Sequence, residues 1–357
     1  MRSPQGRARA DAAGPKRGNA PRSAAMAVGI TILLLMPSTL AAPAASATAL
    51  AGPANGSTKV YVSNQQDNTV SVIDTRTNKV VATVPVGTAP GGVALAPDAK
   101  HAYIANAGSH DVSVLDTATN TVTATIALPA ASSPTSLVVH PNGTTVYVTA
   151  AGTNNVAVLN TQADQVVATV PVGTQPVGIA LTRDGATAYV ANAGSDNVSV
   201  IDSRTNHTVR TIPAGHFPAS LAVTPDGGSL YVANELAKSV SIIDTHAGTV
   251  TATVPVGVGP FGAEVSPNGN QAYIADLGPG NLSVLDTHAH QVTATVSLGS
   301  FGVDPFSVEA TANAIYVADQ GANALAVIDP RTLKVLTTIH VGNSPYGVAA
   351  GPPTSGG

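Results

Sequence analysis

From residue 59 onward the chain alternates short apolar runs with polar, turn-forming stretches. Val70-Ser71-Val72-Ile73, Val80-Val81-Ala82-Thr83-Val84 and Gly92-Val93-Ala94-Leu95 are typical. Each run is rich in β-branched residues and bounded by Gly, Pro, Asn or Asp, and none has the length or the 3.6-residue spacing of a helix. The pattern predicts an all-β protein.

The runs recur. Tyrosines opening a Tyr-Val/Ile-x-x tetrad stand at Tyr61, Tyr103, Tyr147, Tyr189, Tyr231, Tyr273 and Tyr316, spaced by 42 to 44 residues. Thirteen residues after each comes Asp74, Asp116, Asn160, Asp202, Asp244, Asp286 or Asp329. A third run, a Gly-x-x-Pro element and a fourth run complete the unit. Four strands in roughly 40–45 residues is the size of a propeller blade, which buries its faces only between neighbours. The spacing therefore predicts a seven-bladed β-propeller with four antiparallel strands per blade. The first repeat starts at Lys59 on its second strand, so the C-terminal strand, Tyr346 to Ala350, is expected to pair into the N-terminal blade and close the ring. The absence of Trp argues against WD40 and Trp-docking quinoprotein blades.

Tyr61-Val62-Ser63-Asn64, Tyr103-Ile104-Ala105-Asn106, Tyr147-Val148-Thr149-Ala150, Tyr189-Val190-Ala191-Asn192 and Tyr231-Val232-Ala233-Asn234 resemble the YVTN family of β-propeller repeats over roughly residues 58 to 351. Ala150, Asp276 and Asp319 depart from its Asn. The resemblance implies an exported or cell-surface propeller, related to surface-layer and binding proteins and near lactonase-like and lyase-like propellers. It transfers no activity by itself.

The first 55 residues are of another kind. Six of the 16 basic residues and one acid precede residue 24, and an apolar run from Met26 to Met36 follows. A small-residue tract with Ala-x-Ala sites comes next. This is the order of an export signal, and the run is shorter than the roughly 18 residues needed to span a bilayer. The expected division is a signal and linker over 1–55, a propeller over 56–351 and a short tail over 352–357, with an uncleaved N-terminal anchor as the alternative. Without the signal the chain carries ten basic and nineteen acidic residues, near −9. Its Lys and Arg are scattered, which argues against a nucleic-acid partner. The lack of Cys excludes disulfides, thiolate nucleophiles and Cys-ligated metals. No phosphate-cradling loop, nucleophile elbow or His-x-x-x-His pair is present.

A repeat protein can be aligned with itself, and what recurs is explained by what every blade needs. The recurring Asp is expected to start a hairpin turn, the tetrad Tyr to fill the core, and the tetrad Asn to form a turn. His288 and His290 fall in such outer turns. Function is sought in the exceptions. All four Phe (Phe217, Phe261, Phe301, Phe306) and the one Tyr outside the tetrads, Tyr346, cluster around the loops that lead into four consecutive blades, at one mouth of the channel. Four residues past each loop Pro stand Ala94, Val138, Ala180, Ala222, Glu264, Glu309 and Ala349, so two adjacent blades place a carboxylate where five place a small apolar residue. His216 and Asp304 stand nearby. The candidate ligand site is His216, Phe217, Phe261, Phe301, Asp304, Phe306 and Tyr346, and the candidate metal pair is Glu264 and Glu309, which a divalent cation would bridge. No other cofactor is implied. The balance favours a monomeric, non-enzymatic binding or scaffold protein that recognises a small ligand, peptide or cell-surface glycan or protein. A metal-assisted lactonase-like hydrolase or lyase and a surface-layer structural protein are the alternatives.

Overall fold

The computed structural model describes residues 58–278, 280–299 and 303–351. The N-terminal stretch expected to be an export signal and linker, Phe301 and the tail from 352 lie outside the described residues. Within them the chain forms seven four-stranded antiparallel sheets, and its one helical element is the single 3-10 turn Ala193–Ser195. Each sheet after the first is one sequence repeat. Blade two runs Pro90–Leu95, His101–Asn106, Asp111–Asp116 and Thr121–Ala127, from the innermost strand to the outermost. Blades three to seven repeat this order from innermost strands Pro134–Val139, Pro176–Leu181, Pro218–Val223, Pro260–Val265 and Pro305–Ala310.

Blade one is shared between the chain ends. Its innermost strand is Pro345–Ala350, which pairs antiparallel with Lys59–Asn64 in the register Val60 to Ala350, Tyr61 to Ala349 and Val62 to Val348. Side chains seal the joint. Ser63 Oγ donates to the Gly91 carbonyl at 2.5 Å and accepts from the Gly347 N–H at 2.8 Å, tying blade one to blade two. The Asn343 N–H and side-chain amide both donate to the Asp67 carboxylate, at 2.6 and 2.8 Å. The expected closure is thus present, and the innermost strands pack side by side around the ring.

The core is seven apolar layers, each between two successive blades. One holds Tyr61, Val70, Val72 and Val84 of blade one against Val93, Ile104 and Leu115 of blade two. Fully burying a side chain of this size stabilises by roughly 1.5–3 kcal/mol, and no sheet achieves it alone. The tetrad tyrosines are buried as expected, and several of their hydroxyls reach forward to the next blade, whereas that of Tyr273 bonds Gln271 on its own strand. Tyr147 donates to the Ser203 carbonyl and Tyr231 to that of Thr287, at 3.2 and 3.1 Å. The recurring Asp also behaves as expected: Asp74 Oδ1 accepts the backbone N–H of Arg76 and Thr77.

The tetrad Asn does not form a turn. Asn64, Asn106, Asn192 and Asn234 have no exposed surface. Each donates its amide to a serine hydroxyl on the third strand, at 2.9 Å for Asn234 to Ser241. In Asn64 and Asn234 the carbonyl also accepts the N–H of the Gly that begins the Gly-x-x-Pro element, from Gly342 and Gly215, both at 3.1 Å. In these two blades the amide therefore fastens the second and third strands to the loop that leads into the same blade's innermost strand. This also explains the Gly, since a Cβ at Gly215 would lie 2.6 Å from Asn234 Cγ.

Asn234→Ala is expected to leave the Gly215 N–H and the Ser241 hydroxyl without their partner. The cost is about 1–3 kcal/mol, read as a fall of several degrees in melting temperature at unchanged circular dichroism.

Candidate functional site

The residue after each inlet Pro stands at the upper channel wall. In blades two to five it is small: Gly91, Thr135, Val177 and Ala219. In blades six, seven and one it is Phe261, Phe306 and Tyr346. These three rings form one cluster, with centroids 3.9 Å apart for Phe261 and Phe306 and 4.3 Å for Phe306 and Tyr346. Phe261 and Tyr346 meet edge to face at 6.4 Å. Tilted and edge-on contacts at this range are the preferred arrangement of aromatic quadrupoles. The rings fill one side of the channel, and Thr135, Ser136, Val177 and Ala219 form the facing wall. About 80 Å³ remains between the two.

The sequence-predicted residues divide into three groups. Phe261, Phe306 and Tyr346 come together as described. Phe217 does not join them, because it precedes its Pro. It occupies the left-handed turn position at φ 57°, where Ala89, Gln175 and Ser344 stand in other blades. His216 is solvent-facing beside it, and its Nδ1 lies 3.0 Å from Asp196 Oδ1 on the preceding blade. The Phe217 N–H and then His216 hold the Asp196 carboxyl below its usual range. These two residues belong to a contact between blades four and five. Asp304 is likewise a turn residue, and its N–H donates to Asp319 Oδ1 at 2.9 Å.

Glu264 and Glu309 lie three residues deeper than the rings on adjacent innermost strands, opposite Tyr273 and Tyr316 in register. Burial raises both carboxyls, and for Glu264 the charge of Glu309 adds to it. The Ala350 N–H donates to Glu309 and offsets part of its burial. No Lys or Arg occurs on any innermost strand, so the channel holds acid without a matching base. A carboxyl pair in this setting keeps a proton to higher pH than a free carboxyl does. Among the described residues no group of three or more His, Cys, Asp or Glu is placed to hold a metal ion, so the pair would need other ligands to complete a cation's shell.

Two features of the mouth went unread in the sequence. Glu235 follows its tetrad where Ala107, Ala151, Ala193 and Leu277 stand, and it sits close enough to Tyr346 for its charge, after burial, to raise the phenol further. Burial also raises Glu235 itself. Beside it Leu236 and Val258 are 54% and 52% exposed, on loops joined by the Val256 N–H to the Lys238 carbonyl at 3.2 Å. Reading the position after the tetrad in every repeat would have found Glu235. The exposure of Leu236 and Val258 follows from loop geometry that no repeat position encodes.

Asp276 is a further exception. It replaces the tetrad Asn in blade six, is fully buried, and takes the Ser283 hydroxyl on Oδ2 at 2.5 Å. Its Oδ1 makes no hydrogen bond, although the Gly257 N–H approaches the carboxyl. Burial pushes its pKa up to about 6, against the opposing pull of Ser283 and Gly257.

Fold and site together define a seven-bladed β-propeller whose channel is filled on one side by aromatic rings above a carboxyl pair. Residues 93–259, just under half of the chain, match the model of the family described as Lactonase, 7-bladed beta-propeller. A search of curated proteins finds no match. Among solved structures the chain is similar to hydrazine synthase of Kuenenia stuttgartiensis, at 24% identity and a TM-score of 0.70, covering 77% of this chain and 93% of that one. It is also similar to streptogramin B lyase, at 14% identity and 0.64, covering 81% and 91%. Dihydro-heme d1 dehydrogenase matches at 16% identity and 0.62, covering 85% and 76%. At these identities the likeness is one of fold. No helix among the described residues is long and apolar enough to cross a membrane.

The Asp276 pKa is higher folded than unfolded, so the folded state binds its proton more tightly. The associated stability is present below about pH 4 and is lost as pH rises to about 6, an effect on the order of 3 kcal/mol. Asp276→Asn restores the amide used by the other blades. It is expected to raise the melting temperature at pH 7 and to flatten the stability profile between pH 4 and 6, as measured by denaturant unfolding.

Proposed function

We propose that this chain acts outside the cytoplasm as a binding propeller, recognising a peptide, small ligand or glycan at the mouth that holds Phe261, Phe306 and Tyr346. The observation that carries this reading is the lopsided channel, with three packed rings facing a wall of small residues. The remaining 80 Å³ is well below the roughly 300–1,000 Å³ of pockets that enclose a whole small molecule. It suits one side-chain-sized group, with the rest of the ligand on the rim, where Leu236 and Val258 offer apolar surface. Glu235, Glu264 and Glu309 favour a group that is cationic or donates hydrogen bonds, and aromatic faces attract the same kind of group. Export rests on the basic-then-apolar N-terminus and on the likeness of the tetrads to YVTN repeats.

A second reading, hydrolase or lyase, is favoured by the Glu264 and Glu309 pair, since a carboxyl that stays protonated near neutral pH is a competent general acid. The stretch that matches the lactonase model ends at residue 259, before either glutamate. That leaves binding as the better supported reading.

Thermal shift on the full chain separates the two, with Ca²⁺, Mg²⁺, Zn²⁺, chelator, sugars, lactones and short basic peptides as probes. A peptide that raises the melting temperature of the wild type but not of Phe306→Ala or Glu235→Gln is the expected result. A ligand at a hundred times its dissociation constant contributes about 2.7 kcal/mol. A metal-dependent shift accompanied by lactone turnover, both lost in Glu264→Gln/Glu309→Gln, would overturn binding in favour of catalysis.

A further inference from the structure

A second place where the repeat breaks lies between blades four and five, at the opposite end of the strands from the aromatic mouth. The turn joining the third and fourth strands holds one left-handed residue per blade: Asn78, Asn120, Asp164, Asn206, Gly248, His290 and Leu333. Two of these side chains meet the tetrad Tyr of the preceding blade. Asn206 Oδ1 accepts from Tyr147 at 3.0 Å, and His290 Nδ1 lies 3.4 Å from the Tyr231 hydroxyl. Gly248, at φ 66°, has no side chain to offer Tyr189. The Tyr189 hydroxyl keeps only the bond to Thr245, the position its counterparts also use, and Arg210 leans over the turn so that a Cβ at Gly248 would strike its guanidinium.

Thr245 and His246 of the same turn line an open cleft of about 520 Å³, together with Arg183, Asp184, Tyr189 and Asp226 among others. Its size falls within the range of small-molecule sites. Arg183 is an exception too. The turn between the first and second strands places Pro97, Pro141, Pro225 and Pro267 at this position, and only here an arginine. Among the described residues Arg183 makes no ion pair. Asp184 Oδ1 accepts from Thr182 at 2.6 Å and from the Ala186 N–H at 3.0 Å, and Asp226 Oδ1 accepts from Thr224 and Gly228 in the same way. These bonds fix both carboxylates, lower their pKa values and leave each with acceptor capacity to spare. His140 faces Asp184, His246 faces Asp226, and Arg210 and Asp184 face Tyr189.

We infer that this cleft is a saccharide-binding site. Two oriented carboxylates accept from ring hydroxyls, the fork of Arg183 donates to neighbouring ones, and the Tyr189 hydroxyl and Pro225 bound the floor. A simple anion would meet two aspartates, and a simple cation would meet Arg183. A neutral polyhydroxylated ring satisfies both signs. The related cleft between blades two and three, about 420 Å³, carries Asp98 and Asp164 with Pro97 in place of the arginine, and so lacks the guanidinium fork of the arrangement. This site is separate from the aromatic mouth and does not depend on the function proposed for it.

The test is saturation-transfer NMR on the full chain with glucose, N-acetylglucosamine and glucuronate, and with inorganic phosphate followed by calorimetry. Saturation transfer to at least one sugar is expected in the wild type. It should fall about tenfold or more in Gly248→Asn, which supplies the turn residue of blades one, two and four, and in Arg183→Pro, which supplies the commoner residue of the other loop. Circular dichroism and melting confirm that each variant folds, and either variant alone suffices. Absence of sugar binding, sugar binding indifferent to both variants, or phosphate binding that replaces it would each overturn the inference.

Discussion

Each blade of this protein is too thin to have a core of its own. Its two apolar faces leave water only when a neighbour covers them, so every buried tyrosine and valine depends on the ring being complete. The bond between the chain ends is what makes it complete, because Pro345–Ala350 supplies the strand that blade one lacks. The buried amides of Asn64 and Asn234 act at the same seams, since each clips its blade to the loop that arrives from the preceding one.

With the ring held by repeated contacts, individual positions are free to differ without endangering it. The channel shows how far this goes. Seven equivalent positions carry Gly, Thr, Val, Ala, Phe, Phe and Tyr, and symmetry of the backbone gives no symmetry of the lining. The acids are distributed in the same lopsided way, on two innermost strands of seven. Chemistry here is a matter of substitution on a uniform frame, and it appears wherever one repeat stops matching the others.

This is also why the fold was so much more legible than the site. Seven tyrosines at nearly constant spacing carry the same message seven times, and the displaced first strand could be counted out from Lys59. A site residue is written once. Phe217 and Phe261 look alike in a search for scarce aromatics, yet one precedes its Pro and turns the chain while the other follows its Pro and enters the channel. The tetrad Asn reads as a turn former for a related reason: Asn is common in turns, and only the three-dimensional approach of a Gly N–H and a Ser hydroxyl reveals a buried fastener. Gly248 could not be read at all without the arginine that covers it and the tyrosine it leaves behind.

The shared first blade also sets an order of events. In synthesis from the N-terminus the strand that seals the ring is the last part of the domain to be made. Until it emerges, Lys59–Asn64 has an unpaired edge and the faces flanking the gap lack their cover. The intervening sheets can form as local hairpins, but full cooperativity must wait for contacts between residues almost three hundred positions apart. A chain built this way stays unsealed for nearly the whole of its passage out of the ribosome, which is the condition a polypeptide needs if it is to be threaded through a narrow pore before it folds.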